Sequence, residues 1–223
     1  MIPYLTVPFA LSNESFEWLN NYLDPLVKEY QTNAPLVSSL LTFSDIQLQD
    51  IYNSTAWAEI LIFFKQHKLN NPRPQIFIYK SLRKPRPTVL GNPHIDSYGE
   101  GGVGDIVAVR FNIMLRGEDA TEMVWWNKDK SDSDVIRAEF ARPDRSVHGR
   151  LQARGNSLEE QWTALGEPDF RATHLARVQE YASFVRTDIL HALNWTGNQP
   201  RLIFSVKFDD HSWENVEQLR LKS

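Results

Sequence analysis

The chain contains no cysteine. That absence excludes disulfides, thiolate metal sites and a cysteine nucleophile, so any metal would have to be held by His, Asp or Glu, a donor set suited to iron, manganese or zinc. No stretch reaches the length of about 18 apolar residues that marks a membrane helix. The opening segment, "MIPYLTVPFALSNESFEW", has neither a basic start nor a long apolar run, so no secretory signal is expected and the expected setting is the cytoplasm. Positive charge is not in excess: 24 Lys and Arg stand against 28 Asp and Glu. A net charge of −4 gives no general attraction to nucleic acid or to an anionic membrane. "EGGVGD" (100–105) lacks the Lys-Ser/Thr ending of a phosphate loop.

What is present suits a globular protein. Hydrophobic residues make up 42% and aromatics 12% of 223 residues, enough for one well-buried core and too much for disorder. A single domain, 1–223, is expected. Residues 1–72 read as a helical N-terminal part. Asn13 can cap a helix whose apolar positions Phe16, Leu19, Leu23, Leu26 and Tyr30 recur at helical spacing. Pro25 is expected to kink that helix or end it near Asp24. Ser44 with Gln47 forms a capping-box pattern, and Ser54 or Thr55 can cap a third helix carrying Trp57, Ile60, Leu61 and Phe64.

From residue 73 to 210 the texture is that of strands. "QIFIYKSL", "DIVAVRFNIML", "TEMVWWN", "DVIRAEFA", "THLARVQ", "YASFVRTDILHAL" and "RLIFSVKF" are short, rich in β-branched and aromatic residues, and partly alternating. With a short strand at His94 they make about eight strands, as in an antiparallel barrel or sandwich. Residues 142–172 are polar and Arg-rich, with a possible helix near "SLEEQWTAL", and read as an insertion between strands.

Within "NPHIDSYGEGG" (92–102), His94 and Asp96 stand two apart. In a strand, such residues point to one face and could bind one ion. The pair alone is weak, because roughly 0.4 such pairs arise by chance at this composition; a loop aspartate capping nearby amides is the plainer alternative. His191 is the best candidate for a second imidazole. It lies in "FVRTDILHALNWTGNQPRLIFSVKF", which reads as strand, turn and strand. A loop centred on Thr196 would set His191 opposite Arg201, so that both point into one cavity. A core histidine bonded to a backbone carbonyl is the alternative for His191.

His94-x-Asp96, the distant His191, and Arg201 ten positions later resemble the Fe(II)- and 2-oxoglutarate-dependent dioxygenase superfamily over about residues 75–208. The "R-x-N" strand after the H-x-D strand is similar to hydroxylase-like members. The resemblance implies a mainly β, α+β fold: a double-stranded β-helix, or jelly-roll barrel, with the N-terminal helices packed outside it. It implies that His94, Asp96 and His191 hold Fe(II) while leaving room for a bidentate oxo acid and dioxygen. Arg201 would grip the far carboxylate of 2-oxoglutarate with its planar fork, and Asn112 and Ser205 would add polar contacts. Tyr79 and one of Trp125 and Trp126 could line the same pocket. The implied reaction is oxidative decarboxylation of 2-oxoglutarate to succinate and carbon dioxide, with hydroxylation of a second, small-molecule substrate as the usual outcome. An amino acid or a derivative is the preferred substrate, with the Arg-rich segment 142–154 as a possible lid.

Two other classes remain open: a cupin-like metalloenzyme that uses the same ligands without 2-oxoglutarate, and a non-catalytic jelly-roll binding protein. Arg201 separates the first from the dioxygenase reading. The nucleic-acid repair branch of the superfamily carries a second arginine six residues after the first, where this chain has Lys207. Arg83, Lys84, Arg86, Arg137, Arg142, Arg145, Arg150 and Arg154 are better read as solvated loops than as a nucleic-acid surface.

Overall fold

A computed structural model describes residues 1–33, 38–41, 43–79, 92–98, 105–117, 121–126, 135–141, 147–173, 175, 178–195, 201–208 and 212–220. The elements, in chain order, are β1 (Tyr4–Val7), α1 (Asn13–Asn33), β2 (Ser38–Leu41), α2 (Asp45–Tyr52), α3 (Thr55–Gln66) and β3 (Pro72–Tyr79). Then come β4 (His94–Ile95), β5 (Ser97–Tyr98), β6 (Asp105–Ile106), β7 (Val109–Arg116), β8 (Thr121–Trp125), β9 (Val135–Ala141) and β10 (Val147–Ala153). The last are α4 (Leu158–Leu165), β11 (Phe170–Thr173), β12 (Ala182–Arg186), β13 (His191–Trp195), β14 (Arg201–Phe208) and α5 (Trp213–Arg220).

The helix starts follow local chemistry. Ser44 accepts from the Gln47 amide while its own amide donates to the Gln47 side chain at 2.9 Å, and Ser54 Oγ accepts from the Trp57 amide at 3.1 Å. The first helix departs from expectation: α1 runs through Pro25 to Asn33. Leu19, Leu23 and Val27 are all buried on both sides of the proline. Burying each such side chain stabilises by about 1.5–3 kcal/mol, which together exceeds the ~3 kcal/mol cost of an interior proline. The N-terminal part is also not wholly helical, since β1 and β2 are four-residue edge strands.

Most strands join two antiparallel six-stranded sheets. One has the order β1-β12-β7-β14-β3-β2 and the other β11-β8-β13-β4-β10-β9, with β5 and β6 forming a separate pair. Alternation along β7 and β14 sorts the residues between two faces. Phe111, Ile113, Leu115, Phe204, Val206 and Phe208 pack outward against Trp57, Ile60 and Phe64 of α3 in the main core. Phe64 lies 5.0 Å, ring to ring, from both Phe111 and Phe208. The opposite face of these two strands carries Arg110, Asn112 and Ser205, and it faces the second sheet. On that sheet's outer side, Val124, Trp126, Leu190 and Ala192 are covered by Leu165 and Trp162 of α4.

Three strand assignments are corrected. Val147–Ala153, inside the supposed insertion, is β10; it pairs with β9 on one side and β4 on the other. "VHGRLQA" hides this because a glycine and polar residues break the alternation on a strand held from both sides. A free lid over 142–154 is therefore ruled out for 147–153, while Arg142 and Arg145, like Arg83, Lys84 and Arg86, lie outside the described residues. "YASFVRTDILHAL" divides into β12 and β13, which enter different sheets. The strand expected at "THLARVQ" lies earlier, at Phe170–Thr173.

The expected β13–β14 hairpin is also corrected. β13 pairs with β8 and β4, whereas β14 pairs with β3 and β7, so His191 and Arg201 are not cross-strand partners. Turn residues make a chain reverse but do not decide which sheet receives it; here it crosses from one sheet to the other. Arg201 faces Tyr79 instead. Among the described residues, no helix is long and apolar enough to cross a membrane.

Candidate metal centre

His94, Asp96 and His191 converge between the inner faces of the two sheets. Trp125, His191, His94 and Gln152 form one cross-strand row over β8, β13, β4 and β10. Adjacency of His191 and His94 thus comes from direct strand pairing, not from the hairpin. Asp96 follows immediately after β4 and is pinned by its backbone: its amide donates to Thr187 at 2.9 Å, and its carbonyl accepts from Val107 at 3.0 Å.

The side chains point at one another. Asp96 Oδ1 lies 3.3 Å from His94 Nε2 and 3.8 Å from His191 Nε2. One donor atom from each of the three residues lies within 4.8 Å of the other two. Adjacent donors bound to one ion at about 2.0–2.2 Å sit roughly 3 Å apart, so closure needs only a small side-chain adjustment. His94 Nδ1 faces the Asn92 carbonyl at 2.7 Å, and His191 Nδ1 faces that of Ile189 at 2.9 Å. A carbonyl can only accept, so each Nδ1 carries a hydrogen, and Nε2 is the ring atom each histidine turns toward Asp96. Two imidazoles and one carboxylate are the donor set of a facial triad, and the residues present fit a divalent transition-metal ion.

Electrostatics favour a charged Asp96 and a neutral His191. Burial alone would raise the Asp96 carboxyl, but the Arg110 guanidinium outweighs it and holds the group well below the usual carboxylate range. His191 is pushed down to about 4, first by burial and then by His94, against the pull of Asp96. It is therefore neutral at pH 7, which leaves Arg110 as the standing counterion of Asp96. Both groups act on stability in the same direction. The unfolded chain takes up the His191 proton near its ordinary value of 6.5, before the folded chain does. Stability present above pH 6.5 should therefore fall as the pH drops toward 4, by on the order of 3 kcal/mol at 1.36 kcal/mol per unit. Urea unfolding of the metal-free chain should lose this amount between pH 7 and 4, and His191→Gln should lose correspondingly less. Parallel pH curves for the two would reject a buried neutral imidazole.

Beneath the triad, the inner face of the first sheet carries a polar row. Ser183, Asn112, Ser205 and Gln75 are cross-strand neighbours over β12, β7, β14 and β3. Ser205 donates its hydroxyl to Asn112 Oδ1 at 2.7 Å and accepts from Arg110 Nη1 at 3.4 Å. Ser183 Oγ is buried with no hydrogen-bond partner among the described residues. Arg201 shares this strand face with Ser205, four residues away, or roughly 13 Å along the strand; its Nε and Nη1 are buried. Gln75, Ser183 and the role of Arg110 were not apparent from the sequence. The "R-x-N" alternation placed Arg110 on the inner face but could not show what it meets. Trp125 and Trp126 are both fully buried, donating from Nε1 to the Arg186 and Gly166 carbonyls at 2.9 Å each. Tyr79 is described in its backbone pairing only.

No family model matches the chain, and no curated protein matches it. Solved structures do. EvdO2 from Micromonospora carbonacea var. aurantiaca, complexed with 2-oxoglutarate, aligns over 93% of this chain and 86% of its own at 9% identity and a TM-score of 0.54. The non-heme alpha-ketoglutarate-dependent epimerase SnoN from nogalamycin biosynthesis aligns over 94% of this chain and 79% of its own, at 15% identity and a TM-score of 0.51. The alpha-ketoglutarate-dependent carbocyclase SnoK, also from nogalamycin biosynthesis, aligns over 98% and 86%, at 11% identity and the same score. At these identities the likeness is one of fold, over nearly the whole of this chain.

Proposed function

We propose that this chain is a non-heme Fe(II)- and 2-oxoglutarate-dependent oxygenase, built as one double-stranded β-helix domain, that hydroxylates a small, amino-acid-like molecule. The observation that carries the reading is the meeting of His94 Nε2, Asp96 Oδ1 and His191 Nε2 within 4.8 Å of one another. The fold neighbours support it, because they include proteins complexed with 2-oxoglutarate and, for SnoN, with Fe3+ and alpha-ketoglutarate.

When bound, iron with the oxo acid and dioxygen supplies the oxidising chemistry, ending in succinate, carbon dioxide and an oxidised substrate. The protein's share is placement. His94, Asp96 and His191 would hold the ion and leave room on it for the oxo acid and dioxygen. Arg201 pairs with the distal carboxylate of 2-oxoglutarate, a bidentate match for its fork. Asn112, oriented by the Ser205 hydroxyl, and Ser183 offer polar groups toward the bound diacid; Ser205 itself acts mainly through Asn112. The buried Trp125 beside His191 excludes water from that side.

Anaerobic addition of Fe(II) and then 2-oxoglutarate should produce the weak visible charge-transfer band of a chelated oxo acid, and His94→Ala should abolish it. Iron binding without the band would instead indicate a metalloenzyme that does not use 2-oxoglutarate. No iron binding would leave a non-catalytic barrel. SnoN and SnoK, described as an epimerase and a carbocyclase, illustrate other outcomes on this fold. Succinate formation coupled to a product one oxygen heavier than its substrate is therefore the measure of hydroxylation.

A further inference from the structure

Arg110 is the most buried charged side chain beside the triad, at 2% exposure. Its Nε donates to Asp96 Oδ2 at 2.5 Å, and its Nη1 donates to Gln75 Oε1 at 2.8 Å. The guanidinium also lies over the Phe77 ring, 5.1 Å from its centre. Gln75 and Phe77 belong to β3, and Ser205, the other acceptor of Nη1, belongs to β14. The fork is thus anchored by the sheet opposite the histidines and cannot swing with Asp96. The two carboxylate oxygens consequently differ: Oδ2 is held by Arg110, and Oδ1 faces both imidazole Nε2 atoms.

Resting on the metal reading above, we propose that Arg110 is a positioning residue that restricts Asp96 to binding the ion through Oδ1 alone. A free carboxylate beside a divalent ion can chelate with both oxygens and occupy two positions. Drawing Oδ2 back onto a fixed guanidinium keeps that second position open for an incoming oxygen donor. Arg110 also cancels the Asp96 charge. Asp96 thus brings little net negative charge to the ion, which favours a dianionic chelating co-substrate.

The test uses Mn(II) and the water-proton relaxation of the loaded chain, which counts exchangeable waters on the ion. At saturating Mn(II), Arg110→Met should lower the relaxation enhancement by about a third, as Oδ2 takes one of about three open positions. Arg110→Lys, which keeps a cationic donor for Oδ2, should restore most of the wild-type value. A merely structural arginine would not alter the water count of a folded, metal-saturated variant. An unchanged enhancement in folded Arg110→Met overturns the inference while leaving the metal site intact. If that variant does not fold, a crystal structure of the Mn(II)-loaded wild type decides: Oδ2 on Arg110 with only Oδ1 on the ion supports the inference, and both oxygens on the ion overturn it. Absence of any Mn(II) binding by the wild type removes the metal reading and this inference together.

Discussion

Asp96→Ala should abolish retention of Fe(II). On the proposed function the residue is the one anionic donor, and no other described carboxylate joins the cluster. Removing a partner that merely orients a ligand typically costs 10- to 100-fold in metal affinity, so loss of the ligand itself should exceed roughly 100-fold. The substitution has a second consequence. It strands the Arg110 guanidinium, and breaking a buried ion pair from one side destabilises by about 3–5 kcal/mol. Metal content must therefore be read on protein that circular dichroism shows to be folded. His191→Ala is the companion variant, because it removes a neutral donor and leaves no charge behind; it should lose the metal with a smaller cost in stability. Full iron occupancy in folded Asp96→Ala would mean that a different carboxylate binds the ion.

Arg201→Ala should raise the 2-oxoglutarate concentration needed for half-maximal binding while sparing metal affinity. Its Nε and Nη1 are buried on the inner face of β14, facing away from the helix-packed core. Truncating one partner of a buried, hydrogen-bonded charge pair costs about 2–5 kcal/mol, which corresponds to a loss of at least roughly 30-fold. Arg201→Lys should recover only part of this, since an ammonium cannot reproduce two parallel bonds to a carboxylate. The ion contacts none of the atoms removed, so Mn(II) titration should give wild-type affinity. Unchanged dependence on 2-oxoglutarate would reject this role for Arg201.

Several features of the site could be read without coordinates because the chemistry restricts residue type. With cysteine absent, only His and carboxylate donors remain, and the i, i+2 spacing of His94 and Asp96 sets them on one side of an extended chain. His191 does lie beside His94 and Asp96, but not by the expected geometry: the hairpin to Arg201 does not form, and pairing with β4 brings the two imidazoles together. Helix capping at Ser44 and Ser54 was legible because a cap is satisfied within three residues. The passage of α1 through Pro25 was not, because the compensating burial of Leu19, Leu23 and Val27 depends on what the helix packs against. β10 reads as insertion because a strand paired on both sides draws its stability from its neighbours' backbones and needs little of its own alternation.

By itself, the amino-acid order determined the donor types, the helix starts and the alternation that turns Asn112 and Ser205 away from Phe111 and Phe204, since each depends on neighbours a few positions away. Only the tertiary structure decided which sheet each strand entered, and with it the row of Trp125, His191, His94 and Gln152 and the clamp of Arg110 on Asp96. The row joins four strands far apart in the chain within one sheet, and the clamp reaches across from the other. Their geometry follows from closing two sheets over a shared interior, a process driven by burial spread along the whole chain and written in no single segment of it.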